Sequence, residues 1–130
     1  MSKKYFKILI IIILSCILIT VFYQIGPKAL SGKNVKVSLE VLDKKYKTNI
    51  EENSTVFEVM KKIEEENTED NLFNFKYIEY ASLGSFITEI NGIKGTPGKY
   101  WIYYINSKEA SVGVSKYILK SGDIISWKQE

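Results

Sequence analysis

The sequence predicts an α+β domain with one helix packed on a mixed sheet. Three observations predict it. Apolar residues alternate over Val35–Leu42 and again in several short runs after Phe75, which is the period of half-buried strands. Between them lies one run with helical spacing, Val56, Val59, Met60 and Ile63. Strands and helix are segregated along the chain rather than alternating, which argues against a doubly wound parallel sheet.

The elements follow in order. VKVSLEVL (Val35–Leu42) places Val35, Val37, Leu39 and Val41 on one side, and Tyr46–Ile50 returns as its hairpin partner after Asp43-Lys44-Lys45. Thr55, with Glu58 three residues later, fits a capping box, with Ser54 as an alternative cap, and opens a helix running to about Glu66. Lys62 and Glu66 sit one helical turn apart on its outer face. Asn67–Asn71 reads as a loop. FKYIEY (Phe75–Tyr80) and FITEI (Phe86–Ile90) alternate as strands around a bend at Gly84, and Asn91-Gly92 is a hairpin turn dipeptide. Lys94–Lys99 is a loop. Tyr100–Ile105 is a strand followed by a tight turn at Asn106-Ser107-Lys108. Ser111–Val114 reads as a further short extended piece, Ser121-Gly122-Asp123 as a turn and Ile124–Trp127 as the last strand. A strand–strand–helix–strand order with one helix on a mixed sheet is the layout of a β-grasp, here with an extra hairpin. Its domain spans residues 35–130, after a linker at 27–34.

Residues 8–23, ILIIIILSCILITVFY, carry no charge and follow three lysines in MSKKYFK. A basic start before an apolar run marks an export signal, and flanking aromatics lengthen the run towards a membrane span. An uncleaved signal-anchor over residues 1–26 is expected, with a transmembrane helix and the rest of the chain outside the cell. Cleavage near Ser31 and lipidation at Cys16 are the alternatives.

Charge narrows the function. All 18 basic residues are lysine. From Lys33 onward there are 14 lysines against 15 acidic residues, so the folded part lacks the basic excess and the bidentate arginines that suit nucleic acid. Histidine is absent, and Cys16 is the single cysteine, which excludes intrachain disulfides and the usual Cys/His zinc sites. There is no Ser-His or Cys-His pair and no G-x-S-x-G, so no catalytic residue is assigned. Glu64, Glu65, Glu66, Glu69 and Asp70 form an acidic cluster without EF-hand spacing, and a solvated surface accounts for it. No metal site is assigned and no cofactor is required.

The densest feature is GKYWIYYIN at residues 98–106. Tyr100, Ile102 and Tyr104 alternate with Trp101, Tyr103 and Ile105, so both faces of the strand are apolar or aromatic. One face belongs to the core, and the other is available to stack on a flat ligand or a sugar.

Four pieces in this order, Phe86…Ile90-Asn91-Gly92, Tyr100-Trp101-x-Tyr103-Tyr104-x-Asn106, Gly113…Tyr117 and Gly122-Asp123-x-Ile125-x-Trp127, resemble one family. They are similar to bacterial domains of unknown function that resemble the C-terminal domain of the transcobalamin and intrinsic-factor carriers, in the soluble-ligand-binding branch of β-grasp folds. The likeness covers about Val35–Gln129 and is specific from Gly84 onward. Ser107 departs from it, since the family often has glycine there. The resemblance implies non-catalytic binding of a small molecule outside the cell, with cobalamin or a related corrinoid as first choice. The ligand-binding residues it points to are Tyr100, Trp101, Tyr103, Tyr104, Gly113 and Tyr117. In the carriers a separate helical barrel holds the other face of the corrin, and this chain contains none. Weak binding, work with a transporter or surface-protein partner, or another ligand are the three expectations that follow. The rival reading is a cell-surface module that docks a protein or glycan through the same aromatic face.

Overall fold

The computed structural model describes Ile12, Ile13, Ser15, Cys16 and residues 32–130. The expected signal-anchor, the cleavage site near Ser31 and linker residues 27–31 otherwise lie outside the described residues. The four described residues near the start are helical, and Cys16 has a free, exposed thiol. Among the described residues no helix is long and apolar enough to cross a membrane.

Gly32–Glu130 is one compact unit. Its elements are β1 (Asn34–Val41), β2 (Lys44–Glu51), α1 (Val56–Glu65), β3 (Phe75–Tyr80), β4 (Gly84–Ile90), β5 (Ile93–Lys94), β6 (Trp101–Ile105), β7 (Lys108–Glu109) and β8 (Ile124–Gln129). The α+β class with one helix and a mixed sheet is therefore as expected. Ser111–Val114 differs: it is bend and turn, because Gly113 accepts from the amides of Lys116 and Tyr117 and curls the chain back.

Five strands form a mixed sheet in the order β2-β1-β8-β6-β7, in which only β1 and β8 run parallel. Register puts Leu39 beside Ile125, Val41 beside Trp127, and Trp127 beside Tyr103. Val35, Val37, Leu39, Val41, Tyr46, Ile50, Ile125, Trp127, Trp101, Tyr103 and Ile105 therefore share one face, and all are buried. Val56, Val59, Met60 and Ile63 of α1 join the same core.

The helix starts where its sequence says it should. Thr55 caps it, its hydroxyl accepting from the Glu58 amide, while the Glu58 carboxylate accepts from the Thr55 amide. The amides of Val56 and Phe57 donate to the carbonyls of Tyr117 and Val114. With Val59 N–H on Thr55 O, all four donors of the first turn are satisfied.

β3, β4 and β5 form a second, antiparallel sheet. It meets the first along β6: Trp101 Nε1 donates to Ile93 O at 2.9 Å and Gln129 Nε2 to Lys94 O at 2.9 Å. Phe75, Ile87 and Ile90 enter the common core, and Phe57 of α1 lies edge-on to Phe75 and Tyr77. Two hairpin turns use paired left-handed residues, Asn91-Gly92 and Asn106-Ser107. Ser107 adopts φ +69°, so serine fills a left-handed turn position here.

Candidate functional site

β6 is the reference for the site. Its alternation sends Trp101, Tyr103 and Ile105 inwards and leaves Ile102 and Tyr104 half-buried on the other side. The six residues expected to bind ligand are consequently not on one surface. Trp101 and Tyr103 are core residues at their strand positions, Tyr103 packing on Trp127 with ring centres 5.4 Å apart. The Tyr103 hydroxyl donates to Val112 O, and burial, followed by the nearby Tyr117, pushes it up to about 12. Tyr104 faces outwards, its hydroxyl on Glu130 Oε2 at 2.9 Å and Lys128 Nζ 4.5 Å above its ring. The hydrogen bond to Glu130 raises its pKa most, with some desolvation and the charges of Glu130 and Glu109 adding.

Gly113 and Tyr117 serve the helix start. Tyr117 O caps Val56, and its ring packs on the core. A Cβ on Gly113 would stand 3.0 Å from Leu83 O, so glycine there allows the turn after β3 to approach.

Tyr100 alone of the six is well exposed, and it belongs to a larger surface. Ile78 and Phe86 are cross-strand partners on the outward side of β3 and β4, with Tyr80 two residues along. The Phe86 ring lies 6.1 Å from Tyr100, edge to face. Ile78, Tyr80, Phe86 and Tyr100 are 49, 45, 41 and 44% exposed. Four large apolar or aromatic side chains thus make one continuous shelf across the meeting of the two sheets. Single exposed apolar residues need no explanation, whereas such a cluster marks a contact surface.

Beside the shelf lies a cavity of about 160 Å³. It exists because neither flanking strand is fully paired there. β5 pairs only with Glu89 and Ile90 of β4, and β7 only with Tyr104 and Ile105 of β6. The segments Ser85–Ile87 and Trp101–Tyr103 are left as the two sides of a slot, closed by Gly113, Val114 and Trp127. The Trp127 indole N–H is fully buried and has no acceptor among the described residues. An unpaired buried donor of this kind costs about 1–3 kcal/mol. The other tryptophan, Trp101, has its N–H satisfied.

The outward side of the five-stranded sheet is different in kind. It is mostly polar, carrying Lys36, Ser38, Glu40, Lys45, Lys47, Ser126 and Lys128 beside Ile102, Tyr104 and Ile124, with an exposed pair between Lys45 and Glu40. A shallow open depression of about 400 Å³ there is lined by Lys36, Ser38, Lys47 and Asn49 with Gly122 and Asp123, and offers no aromatic side chain. The acidic cluster expected to be solvated has structural partners in two cases: Glu66 accepts from Thr48 Oγ1 and Glu64 from the Phe75 amide. No group of metal-ligating side chains is assembled among the described residues.

Residues 53–130 match the family described as Domain of unknown function (DUF4430). The chain belongs to this family. Among solved structures, the DUF4430 chain is similar to haptocorrin in complex with Cbi, at 26% identity and a TM-score of 0.62. That likeness covers 75% of this chain and 25% of haptocorrin, so the chain spans about a quarter of that protein's length. A protein from Ruminococcus gnavus ATCC 29149, described as a "putative metal binding protein", shares the fold at 14% identity and a TM-score of 0.50, with 75% of this chain and 96% of that one covered. No curated protein matches. The expected likeness to transcobalamin-type carriers is thereby borne out.

Proposed function

We propose that this DUF4430 domain is a non-catalytic, β-grasp binding module for a small molecule with a broad apolar face, a corrinoid being the first choice. One observation carries the reading: the exposed shelf of Ile78, Tyr80, Phe86 and Tyr100 beside a part-open cavity, on a fold similar to that of haptocorrin in complex with Cbi. A flat macrocycle removes apolar area from water on such a shelf, at about 25 cal/mol per Å². The order β2-β1-β8-β6 with α1 on the inner face supports the β-grasp assignment. Of the residues expected from sequence, Tyr100 is proposed as a stacking contact, Trp101, Tyr103 and Gly113 as lining, and Tyr104 and Tyr117 as supports.

A shelf covers one side of a planar ligand only. Enclosure then needs a second protein, consistent with a transporter or surface partner. The apolar run at residues 8–23 would hold the module outside the membrane. The neighbour with a solved structure that names its ligand is a binding protein, and no nucleophile–base pair offers itself here for catalysis.

The test is a titration of the full-length protein with cobinamide, followed by visible absorption and by quenching of tryptophan emission. A saturable change in both supports the reading, and their absence overturns its corrinoid form. The docking alternative draws on the exposure of Tyr80 and Tyr100, which also suits sugar stacking. Retention on cell-wall polysaccharide without any response to cobinamide would favour it.

A further inference from the structure

We propose that the row Lys76, Glu89 and Lys94 is an anion subsite at one end of the shelf, so that the ligand of this module is an apolar ring system bearing an anionic oxygen group. The proposal rests on the shelf reading above and specifies the charge of what the shelf takes.

Strand register builds the row. Directly opposed residues of antiparallel strands point to the same side of a sheet. Lys76 of β3 stands opposite Glu89 of β4, and Glu89 opposite Lys94 of β5. Lys76 and Ile78 are two apart on β3, so the row lies on the shelf side, next to the pair Ile78 and Phe86. Phe86 and Glu89 are three apart, which in a regular strand would set them on opposite sides. The register shift between Lys76 and Tyr77 leaves Thr88 unopposed and brings Glu89 back to the side of Phe86. Neighbouring rows on one face are about 7 Å apart, and β3 and β5 flank β4 about 10 Å from each other. Both lysine stems therefore start within reach of one anion at the edge of a ring lying on Phe86.

The three charges are not equivalent. The Glu89 side chain is 8% exposed and accepts from Lys76 Nζ at 3.0 Å. That pair is neutral, and it fixes an ammonium whose side chain is 69% exposed. Lys94 is exposed and makes no ion pair with the described residues. Its backbone is held, Lys94 O accepting from Gln129 Nε2 and the Gly95 amide donating to Thr88 O. The row thus carries one positive charge in excess, at a fixed place beside the apolar shelf. The other end of the shelf, where Tyr80 stands opposite Gly84, carries none. A cationic ring system is repelled at the row, and a neutral one gains nothing from Lys94. A ring with an anionic group satisfies both the apolar surface and the free lysine.

The test compares naphthalene sulfonate with naphthalene methanol, the same ring with and without the anion. In ¹⁵N-labelled full-length protein the amide resonances of Phe86 and Lys94 are followed as each is added. The wild type should bind the sulfonate about fivefold more tightly than the alcohol at low salt, and the preference should fall towards one as salt screens it. Lys94→Gln should abolish the preference and leave the affinity for the alcohol unchanged. Lys76→Gln should abolish it too, because the freed Glu89 charge then cancels Lys94. Lys36→Gln, on the other sheet, should keep it. Association of the probes with the apolar run at residues 8–23 is common to all these proteins and cancels in the comparison. Equal affinities in the wild type, or a preference that survives in Lys94→Gln, overturn the subsite and leave the shelf standing. Phe86 resonances that answer to neither probe remove shelf and subsite together.

Discussion

The two sheets differ in what they present to the outside, the first mostly charged and polar, the second mostly apolar and aromatic. β1, β2 and β8 show Lys36, Ser38, Lys45, Lys47, Ser126 and Lys128, whereas β3 and β4 show Ile78, Tyr80 and Phe86, continued by Tyr100. Inwardly the sheets are alike, since both feed the same core. The difference teaches that surplus aromatic residues in a small α+β domain need not mark the site where they are densest. The run Tyr100–Tyr104 is the densest in aromatics, yet it spends Trp101 and Tyr103 on packing. The shelf is made largely by the neighbouring hairpin, whose strands are only moderately apolar.

The comparison breaks first in the core. Trp101→Ala should cost about 3–5 kcal/mol, seen as a large fall in the denaturant midpoint, because a buried ring and its bond to Ile93 O are both lost. An unchanged midpoint would place Trp101 on the open side instead. Gly113→Ala should cost about 1–3 kcal/mol in the same assay, since the new methyl meets Leu83 O at 3.0 Å and backbone must move.

Tyr103 sharpens the inward side through pH. Its folded pKa lies above that of the unfolded chain, so the native state keeps the proton longer. Its contribution to stability is complete below pH about 10 and is lost as pH rises towards about 12, by roughly 3 kcal/mol at most. Tyr103→Phe should flatten the fall in unfolding free energy above pH 10 relative to wild type. An identical slope would contradict the burial of this hydroxyl.

Much of this was legible from residue pattern. The capping box at Thr55 and Glu58, the stripe Val56, Val59, Met60 and Ile63, and the turn at Asn91-Gly92 are short-range signals. Each depends on neighbours three or four residues away at most, and each is met in the structure. The pieces Asn106 and Gly122-Asp123 were legible as turns, but not their mutual bond. Asn106 Nδ2 donates to Asp123 Oδ1 at 2.8 Å and the Ile124 amide to Asn106 Oδ1, so two distant motifs lock one hairpin end to the last strand. The site was less legible. Tyr100 reads as a contact, but Ile78 and Tyr80 read simply as strand residues and Phe86 only as a piece of the family pattern, because alternation gives two faces without saying which is covered. The signal that could have found them is FKYIEY, which has large residues on both faces of one strand. Trp127 reads only as a residue of the last strand, because its burial against Tyr103 comes from the pairing of β6 with β8, which no short-range signal gives.

The smallest expected effects on stability are on the two outward faces, where substitutions at exposed positions stay within about 1 kcal/mol. There the faces are told apart by binding. Phe86→Ser with Tyr100→Ser removes two rings of the shelf, and Lys36→Ser with Lys47→Ser removes two charges from the other sheet. The most direct measurement is a cobinamide titration, read by visible absorption, of the wild-type protein and these two double variants side by side. The shelf account predicts wild-type binding in the lysine variant and a loss of at least about tenfold in the aromatic variant. Undiminished binding in the aromatic variant, or a loss confined to the lysine variant, would contradict it.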